Sequence, residues 1–153
     1  MSHFEVVRSI TVEAEPARVH ALIADFTAWT AWSPWEDLDP DLQRTYTGPD
    51  AGAGARYAWQ GNRKAGAGSM EITSSTPERI DVRLSFLKPW KATSDVAFEL
   101  TPTGSGTEVT WRMHGENTGM AAVVARVVPM DKLVGKDFEK GLARLKTVAE
   151  APA

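Results

Sequence analysis

Met130-Asp-Lys-Leu-Val-Gly-Lys-Asp-Phe-Glu-Lys-Gly-Leu-Ala-Arg-Leu-Lys-Thr-Val-Ala-Glu150 closes the chain with a periodicity unlike that of the hundred residues or so before it. Met130, Leu133, Val134, Phe138, Leu142, Leu145 and Val148 recur at the three-and-four spacing of helical turns. They form one apolar stripe, and charged residues fill the opposite face. The spacing predicts one main helix from Met130 to about Glu150. Gly141 falls inside the stripe, where glycine costs roughly 1 kcal/mol against alanine. Something must therefore approach the helix closely there, either sheet or ligand. Pro129 is expected to kink or separate this helix from the shorter apolar stretch Met120–Val128.

Upstream, the period is two. Tyr57 and Trp59 alternate with polar or small residues, as do Gly68, Met70 and Ile72, then Ile80, Val82, Leu84 and Phe86. Val96, Phe98 and Leu100 follow, then Val109, Trp111 and Met113. Turns rich in Gly, Pro, Ser and Thr separate the runs, notably Thr101-Pro-Thr-Gly-Ser-Gly106. Alternation with a wet outer face is the pattern of an antiparallel sheet covered on one side. At the start, Phe4, Val6, Ile10 and Val12 share one parity, with Arg8 in the same register, so a strand is predicted over about residues 4–13. Glu15-Pro16 then opens a short helix whose apolar face is Val19, Leu22, Ile23 and Phe26. The segment Trp29-Thr-Ala-Trp32-Ser-Pro-Trp35 reads as a helical turn stopped by Ser33-Pro34.

With 153 residues, 42% hydrophobic and 24% charged, the chain suits one globular domain over residues 1–153. The net charge is −3 and no basic patch is visible, which speaks against a nucleic-acid partner. The absence of cysteine excludes disulfides and thiol catalysis. No apolar run approaches the ~20 residues of a membrane span. The first residues lack the basic head and apolar stretch of a signal peptide, so a cytoplasmic location is expected. A monomer or homodimer is expected.

The order strand, helix, several antiparallel strands, long C-terminal helix resembles the START-like or Bet v 1-like superfamily, in its bacterial polyketide cyclase/dehydrase (SRPBCC) branch. The residues that carry the resemblance span nearly the whole chain. They include Ile10-Thr-Val-Glu-Ala-Glu-Pro16, Trp29-x-x-Trp32-Ser-Pro-Trp35, Gly54-Ala-Arg-Tyr57-x-Trp59-x-Gly61, Gly66-x-Gly68-x-Met70-x-Ile72 and Gly106-Thr107-x-Val109-Thr-Trp111. The closing segment Met130 to Lys146 completes the set. The resemblance implies an α+β helix-grip fold, in which a curved antiparallel sheet of about seven strands wraps around the long helix. It also implies a hydrophobic cavity between the two, in a superfamily that ranges from lipid carriers through cyclases to chaperone regulators.

The inward-facing large side chains are the candidate cavity lining: Trp32, Trp35, Tyr57, Trp59, Met70, Phe86, Phe98, Trp111, Met113 and Phe138, with Gly141 beside them. They suit a flat or chain-like apolar ligand, with methionine supplying adaptability. The same residues also suit a plain packed core, and both readings stand. Arg8 is the one permanent charge predicted to face inward. Its guanidinium would pair either with a ligand carboxylate or enolate, or with an Asp or Glu of the chain. His114 has a useful titration range but the parity of the outer face. His20 and His3 read as structural or solvated. Glu36-Asp37 and Asp39-x-Asp41 lack metal-ligand spacing, and Gly52-x-Gly54 and Gly66-x-Gly68 lack a dinucleotide fingerprint, so neither metal nor cofactor is expected. Three functions remain in play. They are a carrier or sensor of a small hydrophobic or amphipathic molecule, a cyclase or dehydratase on polyketide-like substrates, and a protein-interaction module. Aldol closure would need a base, an acid and an oxyanion stabiliser around one point, and only Arg8, Tyr57 and His114 are on offer.

Overall fold

A computed structural model describes residues 2–35, 39–63, 65–88, 91–117 and 130–151. The element order is β1 (Ser2–Val12), α1 (Pro16–Ile23), a 3-10 helix (Phe26–Ala31), β2 (Gln43–Thr47), β3 (Arg56–Gln60), β4 (Ala67–Thr76), β5 (Arg79–Lys88), β6 (Ala92–Pro102), β7 (Thr107–Asn117) and α2 (Met130–Glu150). The acidic pair Glu36-Asp37 and the stretch Met120–Pro129 lie outside the described residues, as do the side chains of His3, Met130 and Leu133.

The seven strands form one sheet in the order β1-β7-β6-β5-β4-β3-β2. Every pairing is antiparallel. Between β2 and β7 each strand pairs with its sequence neighbour, and β1 closes the order by lying beside β7. Two register shifts in β4, at Ala67/Gly68 and Ile72/Ser74, mark where the β4–β5 ladder bends. A curved sheet of this kind leaves a concave face, and the parity predicted for each strand is the parity buried on it. Ile72, Ile80, Phe98 and Val109 are fully buried, and Val82, Leu84, Val96, Leu100 and Met113 nearly so.

The cover is helical. Phe138, Leu142, Leu145 and Ala149 of α2 are buried in the same core as the sheet residues. The main packing partner of α2 is β1, with further contacts to α1 and the 3-10 helix. Pro16 starts α1 at a position whose N–H needs no partner, and Val19 and Ile23 face inward. Asp25 caps the 3-10 helix by accepting from the Thr27 N–H at 2.9 Å and the Thr27 hydroxyl at 2.6 Å. The Arg18 guanidinium donates to the carbonyls of Val148, Ala149 and Ala151, so α1 ties down the last turn of α2.

Two glycines of α2 meet other parts of the chain. A Cβ at Gly141 would stand 2.8 Å from Pro34 Cδ and 3.0 Å from Trp111 Cζ3. The space predicted there is thus occupied by the Ser33-Pro34 turn and a sheet tryptophan. One turn and a half earlier, a Cβ at Gly135 would stand 2.2 Å from Arg8 Nη2. Arg8 runs beneath the helix at that point.

Candidate functional site

The aromatic residues of the concave face fall into two groups with different surroundings. The first centres on Trp111. Its indole is stacked on Phe138 of α2, with centroids 3.9 Å apart and planes 6° apart, and on Phe98 of β6 at 4.9 Å and 30°. Trp32 and Trp35 meet it edge-on at 5.6 and 5.7 Å, and Trp29 at 6.3 Å. Trp32, Phe98, Trp111 and Phe138 are at most 1% exposed. This half of the concave face is close-packed, because β1, β7 and β6 lie nearest to α2 and its apolar stripe fills the groove. The early tryptophans are held by their own N–H groups. Trp29 donates to Ile23 O, Trp32 to Leu22 O and Trp35 to Asp137 of α2.

The second group runs across the half of the sheet farther from α2. Tyr57 lies 5.9 Å from Phe26, 5.2 Å from Tyr46 and 6.0 Å from Trp59, and Trp59 meets Phe86 edge-on at 5.8 Å. Cross-strand register brings them together: Tyr46 faces Tyr57, Tyr57 faces Met70, Trp59 faces Gly68, and Gly68 faces Phe86. Gly68 is where the Trp59 ring lies, since a Cβ there would stand 2.6 Å from Trp59 Cη2. Trp59 and Phe86 are only half-buried although they face inward. An inward ring that is not fully covered is what distinguishes this wall from the core beside it.

Beside this wall, Phe26, Tyr46 and Ala55 line a pocket of about 320 Å³ whose rim carries Asp25, Thr27, Asp50 and Arg56. That size is at the lower end of small-molecule sites. None of these residues stands among the sequence-predicted lining. The position of Tyr46 comes from its register opposite Tyr57, and a five-residue strand with Tyr46 as its one large apolar residue gives no alternation from which to read it. Ser94 is a further inward polar residue outside the predicted lining. It shares parity with Val96, Phe98 and Leu100, is 4% exposed, and faces Gly115 across the β6–β7 ladder.

Arg8 turns toward α2, as its register with Val6 and Ile10 requires. Its Nε donates to Glu139 Oε2 at 2.9 Å, and its Nη1 to Val7 O at 2.8 Å. Its side chain remains 26% exposed and that of Glu139 is 61% exposed. Of the two readings of Arg8, the structure carries the pairing with a carboxylate of the chain. His114 is exposed on the outer face, where its neighbours across the ladders are Glu5 and Asp95. The same outer face carries a network in which Glu99 accepts from Arg79 at 3.2 Å and from Arg112 at 2.6 Å. The hydrogen bond to Glu99 raises the Arg112 pKa above its ordinary value. His20 meets the Ser75 hydroxyl at 3.1 Å, and Asp39 accepts from the N–H groups of Asp41 and Asn62, which are structural duties. Among the described residues no group of His, Asp and Glu side chains could hold a metal ion, and no helix is long and apolar enough to cross a membrane.

Comparison with known proteins agrees with this architecture. A family model described as polyketide cyclase / dehydrase and lipid transport matches residues 3–150. Among solved structures, the KanY protein is similar over 99% of this chain and 100% of its own, with a TM-score of 0.71 at 17% identity. A protein from Nitrosospira multiformis matches over 97% of both chains, with a TM-score of 0.68 at 20% identity. DynU16, from the dynemicin biosynthetic locus, matches over 96% of this chain but 47% of its own length, with a TM-score of 0.66 at 16% identity. At such identities the likeness concerns the fold. No curated protein matches the chain.

Proposed function

We propose that this chain, which belongs to the polyketide cyclase/dehydrase and lipid transport family within the SRPBCC superfamily, binds a small hydrophobic or amphipathic molecule on its concave face, as a carrier or sensor. One observation carries the reading. Tyr57, Trp59 and Phe86, with Met70 between them, form an inward-facing aromatic wall whose outer rings are half-buried, on the part of the sheet away from the main packing of α2. Apolar rings in that position gain free energy when a ligand removes their remaining surface from water, by about 25 cal/mol for each Å² covered. Met70 adds a side chain that adapts to irregular shapes.

The family description also favours a second reading, a cyclase or dehydratase. Closure of a polyketide chain requires a base, an acid and an oxyanion stabiliser directed at one point. Among the described residues, the concave face supplies the hydroxyls of Tyr46, Tyr57 and Ser94, Arg44 opposite Trp59, and an Arg8 that is ion-paired with Glu139, with no imidazole or carboxylate of the sheet beside them. That inventory supports binding better than catalysis. An interaction module has less support still, since Tyr46 and Leu87 are the exposed large apolar residues among those described.

Native mass spectrometry of protein purified from its own host tests the proposal. A co-purifying apolar molecule that survives gentle desolvation is expected. Tryptophan emission should respond when aromatic or fatty-acyl compounds are titrated in, and Trp59→Ala should reduce that response. Protein that carries no small molecule and whose emission no apolar compound alters would refute the reading.

A further inference from the structure

We infer that the Ser94 hydroxyl is the polar contact of the aromatic wall, hydrogen-bonding a neutral oxygen (ketone, ester or hydroxyl) of a ligand whose rings lie against Phe86 and Trp59. The inference rests on the binding function proposed above and specifies the class of molecule.

It starts from the alternation of β6. Ser94, Val96, Phe98 and Leu100 share the inward parity and are at most 6% exposed, so a serine stands where the pattern calls for an apolar side chain. Burying a hydroxyl is unfavourable unless it is paired. The buried polar residues among those described are Ser33, Ser94 and Thr107. Ser33 Oγ accepts from the Trp35 N–H at 3.3 Å, and Thr107 Oγ1 donates to Ala14 O at 2.8 Å. The Ser94 hydroxyl has no such partner among the described residues. Trp111 Nε1 is the one side-chain polar atom among them that is both sealed and unpaired, so the Ser94 oxygen, unpaired as well, is not sealed. Alanine would fit the strand without the cost of burying a hydroxyl. Packing alone therefore does not account for a serine.

Cross-strand register places this hydroxyl beside the wall. Ser94 faces Leu84 on β5, and that row continues through Met70 on β4 to Tyr57 on β3. Phe86, two residues beyond Leu84 on the same face, is the diagonal neighbour of Ser94, about 7–8 Å away. On its other side Ser94 faces Gly115 of β7, which in turn faces Phe4 of β1. A Cβ at Gly115 would stand 3.0 Å from Ser94 Oγ and 3.2 Å from Phe4 Cε1, so the glycine keeps the hydroxyl uncrowded. Phe4, like Trp59 and Phe86, faces inward and is only half-buried. The incompletely covered surface therefore runs from Trp59 through Phe86 to Phe4, and Ser94 lies between the two phenylalanines. The charge of the ligand group follows from the same row. Its other side chains are Phe4, Leu84, Met70 and Tyr57, with no cation among them, so a carboxylate would lack compensation at Ser94. A hydroxyl both donates and accepts, which suits an uncharged oxygen.

Two probes of the same ring system, 2-acetylnaphthalene and 2-ethylnaphthalene, test the inference on the full chain, since they differ by a carbonyl in place of a methylene. Calorimetry is expected to show the ketone binding about fivefold tighter, the advantage of one net hydrogen bond. Ser94→Ala should bring the two probes level by weakening the ketone and leaving the hydrocarbon unchanged. The carbonyl resonance of a 13C-labelled ketone should move downfield on binding to the parent and less on binding to the variant. Ser94→Ala should also melt no lower than the parent, because the hydroxyl has no bond within the chain to lose. A variant that unfolds or melts clearly lower would show the hydroxyl serving the chain itself, and would overturn the inference. Equal affinity of the parent for both probes, or a preference for the ketone that survives Ser94→Ala, would overturn the anchor while leaving the binding function standing. Failure of both probes to bind would overturn the binding function itself and the anchor with it.

Discussion

Replacing the two buried glycines of α2 by alanine should give opposite results, although helix propensity treats them alike. Either change should gain about 0.8–1 kcal/mol from the intrinsic preference for alanine. At Gly141 the new methyl would stand 2.8 Å from Pro34 Cδ and 3.0 Å from Trp111 Cζ3. Both are ring atoms. Pro34 is held by its pyrrolidine, and Trp111 is clamped between Phe98 and Phe138, so neither can swing aside. Overpacking of this kind costs about 1–3 kcal/mol. The net effect of Gly141→Ala is a loss of about 1 kcal/mol, a fall in Tm of about 2–4 °C for a chain of this length. At Gly135 the obstacle is the Arg8 guanidinium, 2.2 Å from the new methyl. That group ends a flexible side chain and can leave by giving up its ion pair with Glu139, which is 61% exposed. Such a pair contributes about 0–1 kcal/mol, so Gly135→Ala should range from neutral to about 1 kcal/mol stabilising. Urea and thermal unfolding of both variants measure the contrast. If Gly141→Ala raises stability by the full propensity increment, Pro34 and Trp111 do not press on the helix, and the close-packed half of the concave face has been misread.

Phe138→Ala should destabilise the protein by about 3–5 kcal/mol, as for other buried rings, because it empties the space stacked on Trp111; denaturant unfolding reads this directly. Arg8→Met should cost about 0–1 kcal/mol in the same assay and leave the affinity for neutral probes unchanged, since the group it frees is the well-solvated Glu139. Glu150 accepts from the Lys146 ammonium first and from the Glu13 N–H second, and both hold its carboxyl below the ordinary glutamate value. A depressed folded-state pKa stabilises above the unfolded pKa and loses that contribution as pH falls through the folded one. Glu150→Gln should therefore be less stable than the parent near neutral pH, and the difference should vanish in acid below the usual carboxylate range; pH-resolved thermal melts check it.

The inward faces of β3 to β7 and of α2 were readable from residue order alone. Backbone geometry imposes a period of two on a strand and about 3.6 on a helix, and the apolar residues keep those periods wherever one side meets a core. The change of period at Met130 thus separates sheet from cover, and the order of the elements points to the helix-grip architecture. Arg8 belongs to the same class of result, since its inward direction follows from its parity with Val6 and Ile10.

What parity could not supply is the position of α2 across the sheet. That depends on contacts between segments far apart in the chain: Arg8 with Glu139, 131 positions later, Trp35 with Asp137, 102 positions later, and Gly141 against Pro34. Because α2 lies along β1, Trp111 and Phe98 are sealed into solid packing, while Trp59 and Phe86, identical to them in local pattern, keep part of their surface. The N–H of Trp111, without a partner among the described residues, belongs to the same class. A sequence shows that an indole faces inward, but whether an oxygen waits for its proton is decided when four separate segments converge around it.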